Sequence, residues 1–138
     1  MLRNIIAVIV GLVAGMVWNQ LFVTLNATVL FPMPEGTTMD DAEKFRAYVE
    51  TLPATAFLVV LVAHVGQAAV GGWVAARLGA SRPAVLAWIV GILTAIGSVA
   101  AQLMFGGPVW MWIDPPLCLV AAWFVGRIEC ARRAKAAA

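Results

Sequence analysis

Residues 54–105 read "ATAFLVVLVAHVGQAAVGGWVAARLGASRPAVLAWIVGILTAIGSVAAQLMF". Two apolar runs, 54–76 and 83–105, flank a short connection that holds Gly79 and Pro83. A helix needs about 20 mostly apolar residues, at about 1.5 Å of rise each, to cross ~30 Å of hydrocarbon. Each run meets that length, and the connection can do little but reverse the chain. Within "GASRP" (79–83), Ser81 is available as a helix N-cap and Pro83 suits the first helical turn. The stretch predicts a helical hairpin that crosses a membrane twice.

Two further runs lie outside this hairpin, at about 5–31 and 108–126. Pro32 and Pro34 close the first, Pro53 precedes the second, and "GGP" (106–108) turns the chain into the last. The composition agrees: 63% of residues are hydrophobic and only 12% charged, where a soluble domain carries about a quarter charged. The predicted fold is all-α and polytopic, a single four-helix transmembrane domain over 1–138 with a tail at 127–138. The opening "MLRNIIAVIVGLVAGMVW" resembles a signal peptide, with a basic start and an apolar core. The only small-residue site downstream, "TLNA" (24–27), is a poor cleavage sequence, so an uncleaved first span is expected.

Charge placement sets the expected orientation. Arg3, Arg77, Arg82, Arg127, Arg132, Arg133 and Lys135 fall on one side of four spans, and only Lys44 and Arg46 on the other. Both termini are therefore expected in the cytoplasm, with Trp110 and Trp112 at the outer interface and Trp73, Trp88 and Trp123 toward the inner one. The net charge of +2 is too small to suggest nucleic acid as a partner. In the outer loop 33–53, Thr38 and Asp41 resemble a capping box, and Ala42, Phe45, Val49 and Leu52 repeat at helical spacing. A short amphipathic helix is expected there, its apolar stripe on lipid or on the bundle. It serves as a plain connector or, alternatively, as a docking surface for a periplasmic partner.

Polar residues inside a span are costly unless they face protein or water. Here they fall in stripes: Gly11, Gly15, Asn19 and Asn26; His64, Gln67, Gly71 and Ala75; Gly91, Thr94, Ser98 and Gln102; Asp114, Cys118 and Ala122. Small residues permit close helix approach, and polar ones hydrogen-bond across the contact. Gly11, Gly15, Gly71, Gly72 and Gly91 are thus candidate packing positions, and His64 and Gln67 are expected on a contact face. Asn19, His64, Gln67, Gln102 and Asp114 form the candidate polar cluster.

Counting inward at the helical rise puts Asp114 roughly 9 Å and His64 roughly 15 Å below the outer surface, within reach of one another if their helices are neighbours. Asp114 is then neutral, paired with His64, or in contact with water. Pro115 and Pro116 remove two N–H donors and predict a kink in a helix starting near Pro108. The alternative, Asp114 as N-cap, leaves only 115–126 before Arg127, roughly 18 Å of helix and too short to span.

The loop "FPMPEGTTMDDAEKFRAYVETLP" (31–53), the end "GGWVAARLG" (71–79) and "PVWMWIDPPLCLVAAWFVGR" (108–127) resemble a group of small bacterial four-span membrane proteins to which no activity is attached. The resemblance implies a bacterial inner (plasma) membrane and the four-span count. It supplies no catalytic residue.

Phosphate-binding loops, dinucleotide fingerprints, zinc-protease and nucleophile-elbow motifs are absent. One histidine cannot build a multi-histidine metal or haem site within one chain, and Cys118 and Cys130 form no CxxC pair. No enzyme activity, metal or cofactor is expected. The expected role is an accessory or structural subunit, a homo-oligomer or part of a larger membrane complex. The alternative is a homo-oligomeric channel or carrier for a proton, ion or small solute, using the polar cluster.

Overall fold

The computed structural model describes residues 1–137. It is all-helical, with helices α1 (Leu2–Leu25), α2 (Ala42–Thr51), α3 (Ala54–Leu78), α4 (Pro83–Phe105) and α5 (Asp114–Ala137). Four helical stretches are long and apolar enough to cross a membrane: Leu2–Leu30, Ala54–Leu78, Pro83–Phe105 and Val109–Ala137. Both termini and the α3–α4 turn share one face, here the basic face; α2 and the α4–α5 turn lie on the opposite, loop face.

The centre of the bundle is α3, which packs against α1, α4 and α5. Its partner α1 also meets α4, where Ala7, Leu86 and Val90 share one buried cluster near the basic face. Glycine makes the α1–α3 seam possible. A Cβ on Gly11 would lie 2.5 Å from the Gly71 carbonyl oxygen, and one on Gly15 2.7 Å from that of Gln67. No side chain fits in that space, so the two backbones are in direct contact. Gly91 makes room on α4 for a side chain of α5: an added Cβ would lie 2.3 Å from Ala122 Cβ. Gly72 is less tight, its nearest neighbour being Val125 Cγ2 at 3.3 Å.

The ends of the helices depart from the sequence expectations in three places. Ser81 is not the N-cap of α4; Arg82 is, in a left-handed conformation at φ 49°. The Ser81 hydroxyl instead accepts from Asn4 Nδ2, while Asn4 Oδ1 accepts from the N–H of Ala80 and of Ser81. One side chain of α1 thus holds the α3–α4 turn. In the loop before α2 the cap is Asp41, which accepts from the Lys44 N–H at 3.2 Å; the Thr38 side chain makes no capping bond, and only its carbonyl accepts from the Asp41 N–H. The bond from the Lys44 N–H, with the Lys44 ammonium, holds the Asp41 carboxyl below the usual carboxylate range.

The third departure concerns α5. A 3₁₀ turn, Val109–Ile113, leads into an α-helix that begins at Asp114. The objection to starting a helix there was its length, and it fails because α5 runs on past Arg127 to Ala137. No Gly or Pro follows Gly126, so nothing in the backbone stops the helix where the apolar run ends. Pro115 and Pro116 sit in the first turn, where N–H donors have no intrahelical acceptor in any case.

Elsewhere α1 ends in a π-turn, Asn26–Leu30, ahead of Pro32. The large side chains on the outside of the bundle are apolar, and Trp73, Trp88, Trp110, Trp112 and Trp123 are all exposed to the surroundings.

Candidate functional site

Toward the loop face α1 and α4 part, and α2 lies across the gap. Tyr48 and Val49 of α2 are buried against Phe57 and Met111, and Phe45 stacks edge-on against Phe105 of α4 with ring centroids 4.8 Å apart. The Tyr48 hydroxyl donates to the Phe31 carbonyl, tying α2 to the end of the first span. The apolar stripe of the amphipathic helix therefore packs on the bundle.

Beneath α2 is a cavity of about 170 Å3. Its walls come from the loop-face end of α1, the bundle-facing side of α2, and the loop-face halves of α3 and α4. At its base are His64, Ser98 and Asp114, one from each of the three central helices. Asp114 is only 2% exposed. Its Oδ2 lies 2.5 Å from His64 Nδ1 and accepts from Ser98 Oγ at 2.6 Å, and Cys118 Sγ donates to its Oδ1 at 3.5 Å.

The chain turns Asp114 inward for a local reason. It opens an α-helix straight after a 3₁₀ turn, and Cys118 and Ala122, one and two turns on, are buried on the same face. The helix N-terminus also favours a carboxylate there. Three donors on two oxygens are the company a buried carboxylate needs. Since Nδ1 faces the acid, the other ring nitrogen of His64, Nε2, is the atom left for the cavity.

Of the candidate polar cluster, the structure brings together His64, Asp114 and Gln102, which all line the cavity. His64 thus meets an acid across α3 and α5 rather than simply filling a helix contact. Asn19 and Gln67 do not line the cavity. Gln67 is on the α1–α3 seam, its Cγ 3.0 Å from where a Gly15 Cβ would be. Two further wall residues, Ser98 and Asn26, lay on the polar stripes of the sequence but outside the cluster drawn from them. Asn26 is 6% exposed and donates from Nδ2 to the Ala56 carbonyl, while its Oδ1 has no partner.

A second polar centre was missed altogether. Glu129 is fully buried on α5, near the basic face. Its Oε1 accepts from Arg132 Nη2 at 2.6 Å and Arg133 Nε at 3.0 Å, its Oε2 from Arg132 Nε at 2.8 Å, and Arg77 Nη1 of α3 is 3.7 Å away. Arg133 Nη2 then donates to the carbonyls of Ala76, Arg77 and Gly79 at 2.5, 3.3 and 2.8 Å. These are end carbonyls of α3, which lack partners within their own helix and carry the negative end of its dipole. The i, i+3, i+4 spacing of Glu129, Arg132 and Arg133 was the available signal.

Among the described residues no group of three His, Cys, Asp or Glu is placed to hold a metal ion. If His64 and Asp114 form one unit, their replacement is not additive. Asp114→Asn, His64→Gln and the double variant, compared by reversible unfolding in mixed micelles, are expected to show a coupling of about 1 kcal/mol. Additive losses mean that the two side chains act separately. Compared with family models, curated proteins and solved structures, the chain matches none.

Proposed function

We propose that this chain is an accessory subunit of a bacterial inner-membrane assembly, joined to its partners by helix–helix contact, and that it is not a conduit. The observation that carries this reading is that the cavity is blind. Its lining stops at His64, Ser98 and Asp114. Below them the inner half of the bundle is closed by the Gly11–Gly71 and Gly91–Ala122 contacts and by the Glu129–arginine cluster. A proton or ion pathway needs polar groups or water from side to side, and here they reach only halfway.

Association through the membrane is supported by an apolar groove between α4 and α5, lined by Ile92, Ala95, Ile96, Val99, Pro115 and Leu119. Beside it Gly97 faces outward with nothing near its Cβ position, which suits close approach of another transmembrane helix. The basic face is assigned to the cytoplasm by its excess of arginine.

Two measurements test this. Proteoliposomes holding the purified protein are expected to show no proton or cation flux above empty vesicles; flux that disappears in Asp114→Asn would overturn the accessory reading in favour of a channel or carrier. For orientation, single cysteines at positions 44 and 135 are labelled in intact cells by a membrane-impermeant reagent, after Cys118 and Cys130 are replaced. Position 44 should react and 135 should not.

A further inference from the structure

The groups on the cavity wall have an uneven hydrogen-bonding balance. The Tyr48 hydroxyl proton goes to Phe31, the Ser98 hydroxyl proton to Asp114, and His64 Nδ1 faces the same acid. Acceptors are left over, among them Gln102 Oε1, which no donor among the described residues meets. Asn26 Oδ1 is buried without a partner. His64 Nε2 has no hydrogen-bond partner among the described residues, and in the neutral ring with its proton at Nδ1, facing Asp114, it presents a lone pair. The donors still free on this wall are the Gln102 amide group and the second N–H of Asn26 Nδ2. An unpartnered buried acceptor is unfavourable, so a ligand that fits this wall brings a donor.

The rest of the wall selects the body of that ligand. Phe45, Phe57, Phe105, Met39 and Met111 surround the space, and ring edges and thioethers are good partners for an aromatic ring. A volume of about 170 Å3 holds one ring and little more; an apolar cavity of about 150 Å3 takes benzene. A cation is disfavoured, because both Asp114 oxygens already have protein donors and a charge at this depth is costly.

We propose that the cavity is a binding site for a small neutral aromatic alcohol, a phenol, whose ring lies among the phenylalanines and methionines and whose hydroxyl donates to His64 Nε2 or Asn26 Oδ1. The ligand enters beneath α2 from the loop face, and Asp114 holds the imidazole in the accepting tautomer. Asp114 is thus a positioning residue for recognition. A ketone or ether of the same shape brings no donor and leaves these acceptors unsatisfied. The site needs no conduction and is independent of whether the chain is an accessory subunit.

The test is ¹⁹F NMR on the full-length protein in lipid nanodiscs, titrated with 4-fluorophenol and with 4-fluoroanisole, against empty discs that measure partitioning into lipid. Saturable binding of the phenol is expected, with the anisole about tenfold weaker, the loss of one hydrogen bond. Ala101→Phe and Leu52→Trp, which fill the cavity from α4 and from the α2 side, should each abolish saturable binding; the second guards against misfolding of the first. Equal affinity for phenol and anisole overturns the donor argument. Binding no greater than in empty discs, or binding that survives both filling variants, overturns the site.

Discussion

Glu129→Ala is expected to lower the stability of the bundle by about 3 kcal/mol, the low end of what removing one partner from a buried ion pair costs. The low end applies because Arg77 and Arg132 are nearly half exposed and can turn to water when the carboxylate goes. Arg133 cannot do so without giving up the three α3 carbonyls it serves. The loss is therefore concentrated where α5 clasps the end of α3. Arg133→Met should reproduce a large part of it, and the double variant should cost less than the sum. Reversible unfolding in mixed micelles measures all three. If Glu129→Ala unfolds with wild-type energetics, the cluster is a surface network and not a clasp. Glu129→Gln, which keeps the shape and one of the two acceptor oxygens but turns a donor toward the arginines with the other position, should lie between.

Gly71→Leu is expected to cost about 3 kcal/mol, the upper end for overpacking. A Cβ there meets the Gly11 carbonyl oxygen at 2.7 Å, and Val90 Cγ1 at 3.0 Å on the other side. A side-chain tip can move aside, but the backbone of a packed helix moves only if the whole helix does, so α1 must separate from α3. Gly15→Leu acts on the same seam through the Gln67 carbonyl oxygen and should behave alike. Gly97→Leu supplies the control: with nothing within contact distance, it should stay within about 0.5 kcal/mol of wild type. Thermal unfolding in detergent ranks the three. Equal stability for all of them would mean that α1 is not held at this seam.

The four spans were legible because length and hydropathy are properties of each segment alone. Orienting the stripes was also a local matter, since it needs only the 3.6-residue period. What periodicity does not contain is which helix lies beside which. The depths of His64 and Asp114 could be matched from the sequence, but their contact depended on α3 and α5 being neighbours. Asn19 and Gln67 occupy equally good stripe positions but do not line the cavity, and Gln67 faces the seam where α1 lies against α3. Glu129 was missed for another reason. The polar residues from Arg127 onward were read as a tail, yet a helix ends where its backbone is interrupted, and α5 is not interrupted there. The cap of α2 shows the finer limit: Thr38 and Asp41 are both good capping residues, and only the path of the loop selects Asp41.

The reliance of α1 on α3 has a consequence for biosynthesis. The ribosome delivers the first helix to the bilayer long before its glycine-matched partner exists, since Gly11 must await Gly71. At ordinary translation rates of about 5–20 residues per second, that interval is on the order of several seconds. Throughout it the small-residue groove of α1 faces lipid or the insertion machinery, uncovered. Two nascent chains on one polysome could pair through those grooves before either has a third helix, so the order of synthesis itself selects between self-assembly of the monomer and premature pairing of neighbours.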